Sequence, residues 1–104
     1  MAYVKVNAGI CGFITDIKAD SEDSQMAQLE ITTNCPNYKA LEQELTEVDA
    51  YEECFAKLGE GKIYKVCAKY CKHAACPVPS GIIKAVEVAC GLALPRNVSF
   101  EIEK

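Results

Sequence analysis

Ala27, Leu29, Ile31 and Thr33 alternate with polar neighbours. Upstream, Phe13, Thr15 and Ile17 do the same at odd positions, with the polar run Ala19–Gln25 between the two stretches. A period of two puts one side of each stretch on a buried face, and a polar turn between two such stretches predicts an antiparallel hairpin. This constrains the chain more than any other feature. Placing Ile17 opposite Leu29 sets Thr15 against Ile31, Phe13 against Thr33 and, next on the same face, Cys11 close to Cys35.

Residues 3–8 also alternate, with the apolar side at even positions, and Gly9 and Gly12 bracket Cys11 before the phase changes. The phase change beside glycines predicts a bulge or sharp bend within one long strand.

Helical spacing takes over after Cys35. Pro36 opens a helix expected over 36–48, with Tyr38, Leu41, Leu45 and Val48 inward, and Tyr51, Cys54, Phe55 and Leu58 extend it as a second segment. Gly59-Glu60-Gly61 breaks that segment. A helix over 62–72 then carries Ile63, Val66, Cys67, Tyr70 and Cys71, and the longest helix covers about 78–90. Val98, Phe100 and Ile102 alternate with Ser99, Glu101 and Glu103 and predict a half-buried terminal strand. The expected fold is α+β in the order ββαααβ, a three-stranded antiparallel sheet with helices packed on one face, in a single domain covering residues 1–104.

Half of the residues are hydrophobic and a quarter charged, as in an ordinary globular protein. The formal charge of −4 and a pI near 5.0 supply no positive field for phosphate backbones, so nucleic acid is not an expected partner. No apolar run reaches bilayer-spanning length, and Met1–Val6 enters a strand pattern directly, without the shape of a secretion signal. The expectation is a cytoplasmic protein with no membrane partner, whose thiols are kept reduced.

The seven cysteines fall into two groups. Cys54, Cys67, Cys71 and Cys90 lie on apolar helical stripes and read as core filling. Cys11, Cys35 and Cys76 stand instead at glycine or proline punctuation: Gly9-Ile10-Cys11-Gly12, Cys35-Pro36 and Cys76-Pro77-Val78-Pro79. A helix start favours an anion and lowers a thiol's pKa, and the thiolate is both nucleophile and metal ligand. With the sole histidine, His73, these three make a Cys₃His set, the composition of a structural zinc site; three thiolates with an open position suit an iron–sulfur cluster. A competing quartet draws in Cys71 or Cys67. A second reading makes Cys76 the nucleophile of a thiol redox or sulfur-carrier protein, resolved by Cys11 or Cys35 and served by a protein partner for electron or sulfur transfer. A third is a structural or interaction module whose cysteines only pack. A disulfide between Cys11 and Cys35 stays open as an alternative to their service as ligands.

Cys76-Pro77-Val78-Pro79 at a helix start resembles the motif of the TusA/SirA-like small sulfur carriers, and that resemblance implies a persulfide-accepting Cys76. There, however, the motif follows the first strand, whereas here it follows a hairpin and several helices. Taken whole, with Asn-Ala-Gly-Ile-Cys-Gly-Phe at 7–13 and Cys-Pro-Val-Pro-Ser-Gly-Ile-Ile-Lys-Ala at 76–85, the chain more closely resembles an uncharacterised family of small bacterial and archaeal proteins. That second resemblance implies no activity. Lys62, Lys65, Lys69 and Lys72 form one basic side of a helix, facing the acidic crowd Glu42, Glu44, Glu47, Asp49, Glu52 and Glu53. These two faces read as solvated surfaces that attract one another.

Overall fold

A computed structural model describes all of residues 1–104. Strand β1 (Ala2–Asn7) is followed by β2 (Ile14–Asp20), and the two are antiparallel neighbours, with Val4 opposite Ile17 and Val6 opposite Thr15. The expected single bent strand is therefore two strands. Gly9 and Gly12 take φ of +93° and +76°, the left-handed region open to glycine, and the Gly12 N–H donates to Gly9 O at 2.9 Å. The chain reverses there, and the reversal accounts for the change of phase: an even residue of β1 faces an odd residue of β2.

Strand β3 (Met26–Thr33) pairs with β2 as the hairpin pattern requires. The register is shifted by two from expectation, with Ile17 opposite Ile31 and Thr15 opposite Thr33. A slip of two keeps every side chain on its face, so the apolar pattern alone does not distinguish the two registers. The turn decides. The Asp23 carboxylate accepts the N–H groups of Gln25 and Met26 at 3.0 and 2.9 Å, Ser21 Oγ donates to Met26 O at 2.7 Å, and Ser24 takes φ of 63°.

The sheet has four strands in the order β1-β2-β3-β4, which overturns the three-stranded expectation. The added strand is β4 (Glu47–Asp49), with Val48 opposite Ala27. It lies in the stretch expected to be helical. Residues Pro36–Tyr38 form a 3₁₀ turn and Leu41–Glu44 a single turn of helix, α1, before Leu45 departs to φ −118° and ψ 78°. The free edge of β3 takes the next residues: the Leu29 N–H donates to Thr46 O at 2.8 Å. Tyr38, Leu41, Leu45 and Val48 are all buried even so. Pairing with an open sheet edge outweighs local helix preference here.

The strand expected at the C-terminus does not form. Val98, Phe100 and Ile102 are 64%, 78% and 90% exposed, and the chain there has neither helix nor strand conformation.

Helix α2 (Ala50–Cys54) is short, capped by Asp49, which accepts from the Tyr51 N–H at 2.9 Å. Tyr51, Phe55 and Leu58, expected inward, are exposed. Helix α3 (Lys62–Tyr70) buries Ile63 and Cys67, and α4 (Val78–Ala89) buries Val78, Ile82, Ala85 and Val86. Gly81 brings α4 against the buried face of β1 and β2: a Cβ there would stand 2.4 Å from Val6 Cγ2. One cluster of 19 buried residues joins sheet and helices. Each fully buried Leu, Ile or Val in it contributes about 1.5–3 kcal/mol. No helix is long and apolar enough to cross a membrane.

Candidate functional site

At one end of the sheet, beyond Ile14 and Thr33, the chain opens a cavity of about 90 Å³. Five segments bound it. The β1–β2 reversal carries Cys11, the end of β3 leads into Cys35, and the 3₁₀ turn supplies Asn37 and Tyr38. The connection between α3 and α4 brings Cys71, His73 and Cys76, and Val78 begins α4.

The local chemistry of each position is specific. Cys11 is exposed on a turn that glycine geometry makes. Cys35 is buried, and its N–H donates to Thr33 Oγ1 at 3.1 Å, which ties it to the buried Thr15–Thr33 hydroxyl pair. Cys71 follows the last residue of α3, where its N–H donates to Cys67 O at 2.9 Å. His73 O accepts the Cys76 N–H at 3.1 Å, closing the linker into a turn that leaves Cys71 and Cys76 flanking His73. Cys76 itself precedes the Pro77 N-cap of α4. Cys71 and Cys76 are both half-buried.

Cys11, Cys35, Cys76 and His73, the residues picked out from the sequence, thus line one cavity, although Cys11 and Cys35 are not cross-strand partners as the expected register placed them. The sequence left Cys71 between core filling and the competing ligand quartet, and it lines the same cavity. The helix ends at Tyr70, which releases Cys71 from the stripe it shares with Cys67. The signal available for it was the spacing Cys71-x-His73-x₂-Cys76. Cys67 and Cys90 are buried in the core, and Cys54 packs against it half-buried.

Tyr38 was read only as an inward apolar residue, yet its phenol meets the sulfurs. Burial first, then hydrogen bonding with Cys71 and Cys76, pushes its pKa well above the ordinary phenol value, and negative charge on Cys76 or Cys67 would push it further. The tyrosine therefore keeps its proton and stays neutral beside the thiols. Beneath it, burial and then the neighbouring Cys76 and Cys71 sulfurs push the Cys67 thiol up to about 12, so Cys67 stays protonated.

No three Cys, His, Asp or Glu side chains stand together at distances that would hold a metal ion. The thiols surround the cavity rather than converge on a point, and all four ride on connections: Cys11 on an exposed turn, Cys35 after β3, and Cys71 and Cys76 on the α3–α4 linker.

No curated protein and no solved structure matches the chain. A family model described as a family of unknown function (DUF6951) matches residues 2–102, and the chain belongs to that family.

Proposed function

We propose that the cavity is a thiolate site that binds an iron–sulfur cluster or a soft metal ion such as zinc, held by Cys11, Cys35, Cys71 and Cys76, with His73 able to replace one thiolate. One observation carries this reading: four cysteines from three segments far apart in the chain border a single cavity of about 90 Å³. A nucleophilic site needs one thiol and at most a resolving partner, whereas four thiolates are the ligand set of structural zinc and of iron–sulfur clusters. Thiolates select soft metals over magnesium or calcium. Ligation requires the thiols to draw together, and all four cysteines lie on connections rather than inside a helix or strand. Tyr38 lines the same cavity, keeps its phenol proton and would donate a hydrogen bond to thiolate charge there.

Anaerobic reconstitution with ferrous iron and sulfide, and separately with zinc, tests the proposal. About one cluster or ion per chain is expected, with Cys11, Cys35, Cys71 and Cys76 protected from alkylation. Cys35→Ser and Cys71→Ser should abolish loading, while Cys90→Ala, in the core, should load normally. Protein that stays metal-free in both reconstitutions, with the four thiols still open to alkylation, would overturn it. Fast alkylation of Cys76 relative to an unfolded peptide in such protein would favour the sulfur-carrier or thiol redox reading instead.

A further inference from the structure

The C-terminal tail is a strand without a sheet. Val98, Phe100 and Ile102 alternate with Ser99, Glu101 and Glu103, the pattern of a half-buried strand, yet all three apolar side chains are at least 64% exposed. No backbone hydrogen bond involves residues beyond Ala93. The exit from α4 is held by Gly91 at φ +74° and by the N–H groups of Leu92 and Ala93, which both donate to Glu87 O, at 2.7 and 3.2 Å. From that turn the tail leaves clear of its own sheet, and the molecule measures 43 Å along its longest axis against 27 and 24 Å across.

The sheet has a matching free edge. β1 pairs only with β2, so its second edge offers unpaired N–H and C=O groups. Its inward residues are Ala2, Val4 and Val6, and Val4 is only half-buried although it points to the core face. Three apolar positions at period two on the tail meet three at period two on the edge. Outward-facing Glu101 also brings a carboxylate to the side where β1 presents Lys5.

We propose that the segment Val98–Ile102 adds as a fifth strand to the β1 edge of a second copy of this chain, and that the second copy returns the same contact. The exchange is self-complementary and closes after two subunits, which is the usual symmetry of a homodimer. It pairs one side of the tail's backbone, covers Val4 and Phe100 together, and covers the free edge of β1.

Light scattering coupled to size-exclusion chromatography on the full chain, with hydrogen exchange on the same samples, tests this. The wild-type chain should be a dimer, with alternate amides of β1 and alternate amides of 98–102 protected. Phe100→Asp, at an exposed position that leaves the fold intact by circular dichroism, should be a monomer that loses both sets of protection. A monomeric wild-type chain overturns the proposal, including one whose tail is protected by docking on its own β1. So does a dimer that persists in Phe100→Asp, or one lost without any change at β1. None of these outcomes depends on whether the thiolate cavity binds metal.

Discussion

The hydroxyls of Thr15 and Thr33 meet 2.8 Å apart across β2 and β3, and Thr33 Oγ1 also accepts the N–H of Cys35 at 3.1 Å. Both threonines are buried, and Thr15 lines the cavity, so this pair links the sheet to the backbone of a site cysteine. Thr33→Val leaves the Cys35 N–H and the Thr15 hydroxyl without a partner and should cost about 1–3 kcal/mol. Thr15→Val should cost less, because Thr33 keeps its contact with Cys35. Urea unfolding at constant m-value checks the order, and a larger loss for Thr15→Val would contradict it.

Glu53 is a buried carboxylate that caps α3 from another helix, accepting the N–H groups of Lys62 and Ile63 at 3.0 and 2.8 Å. Gly61 makes room for it: a Cβ at Gly61 would sit 2.7 Å from Glu53 Oε1. Glu53→Ala should destabilise by about 1–3 kcal/mol through the orphaned N–H groups. Gly61→Ala alone should also destabilise. The two losses should not add, since removing the carboxylate removes the clash, and a double-mutant cycle in thermal melts measures the coupling.

Stability should fall on the alkaline side because of Cys67. The folded chain holds that thiol's proton up to about pH 12, whereas an unfolded thiol releases it near 9.0. This contribution is complete below pH 9.0 and is lost as pH rises from there toward 12. Tyr38 acts in the same direction, its phenol also raised by burial and by Cys71 and Cys76. Cys67→Ala should flatten the slope of unfolding free energy against pH over this window, whatever its effect on stability at neutral pH. An unchanged slope would remove Cys67 as a cause.

A smaller loss is expected in acid. Glu44, beside Lys69 and Tyr70, has its carboxyl pKa lowered from the usual 4.5, the hydrogen bond with Lys69 being the largest cause. The Thr33 N–H and then Lys39 lower that of Glu42. A depressed carboxyl contributes stability above its ordinary value and loses it as pH falls through the folded value. Both groups are solvent-screened, so the Glu44→Gln chain should show a weaker acid slope at low salt and little difference at high salt. Urea midpoints measured between about pH 6 and pH 3 at two ionic strengths provide the comparison.

How much of this was legible beforehand depended on what each pattern encodes. The alternation in β2 and β3 identified the hairpin and its buried face, because burial follows period two directly. It could not choose between registers that differ by two, and the Asp23 and Ser21 turn bonds made that choice. The stripe Tyr38, Leu41, Leu45 and Val48 correctly marked buried residues while misnaming the element, since a 3₁₀ turn, one helical turn and a short strand bury the same four side chains. The identity of β4 rested on a long-range bond from Leu29 to Thr46 that no local window contains. For the cavity, glycine and proline neighbours located Cys11, Cys35 and Cys76. Cys71 read ambiguously, as core or as ligand, because its helix stops one residue earlier than its apolar stripe.

Gly81 has a consequence that reaches beyond the core. It is the fourth residue of α4, five positions after Cys76, and its missing methyl lets the helix rest directly on Val6. An alanine there would lift the amino end of α4 away from the strands and carry the proline-bound cysteine ahead of it outward. The seat of that sulfur is thus tied to one absent carbon that lies outside the cavity lining.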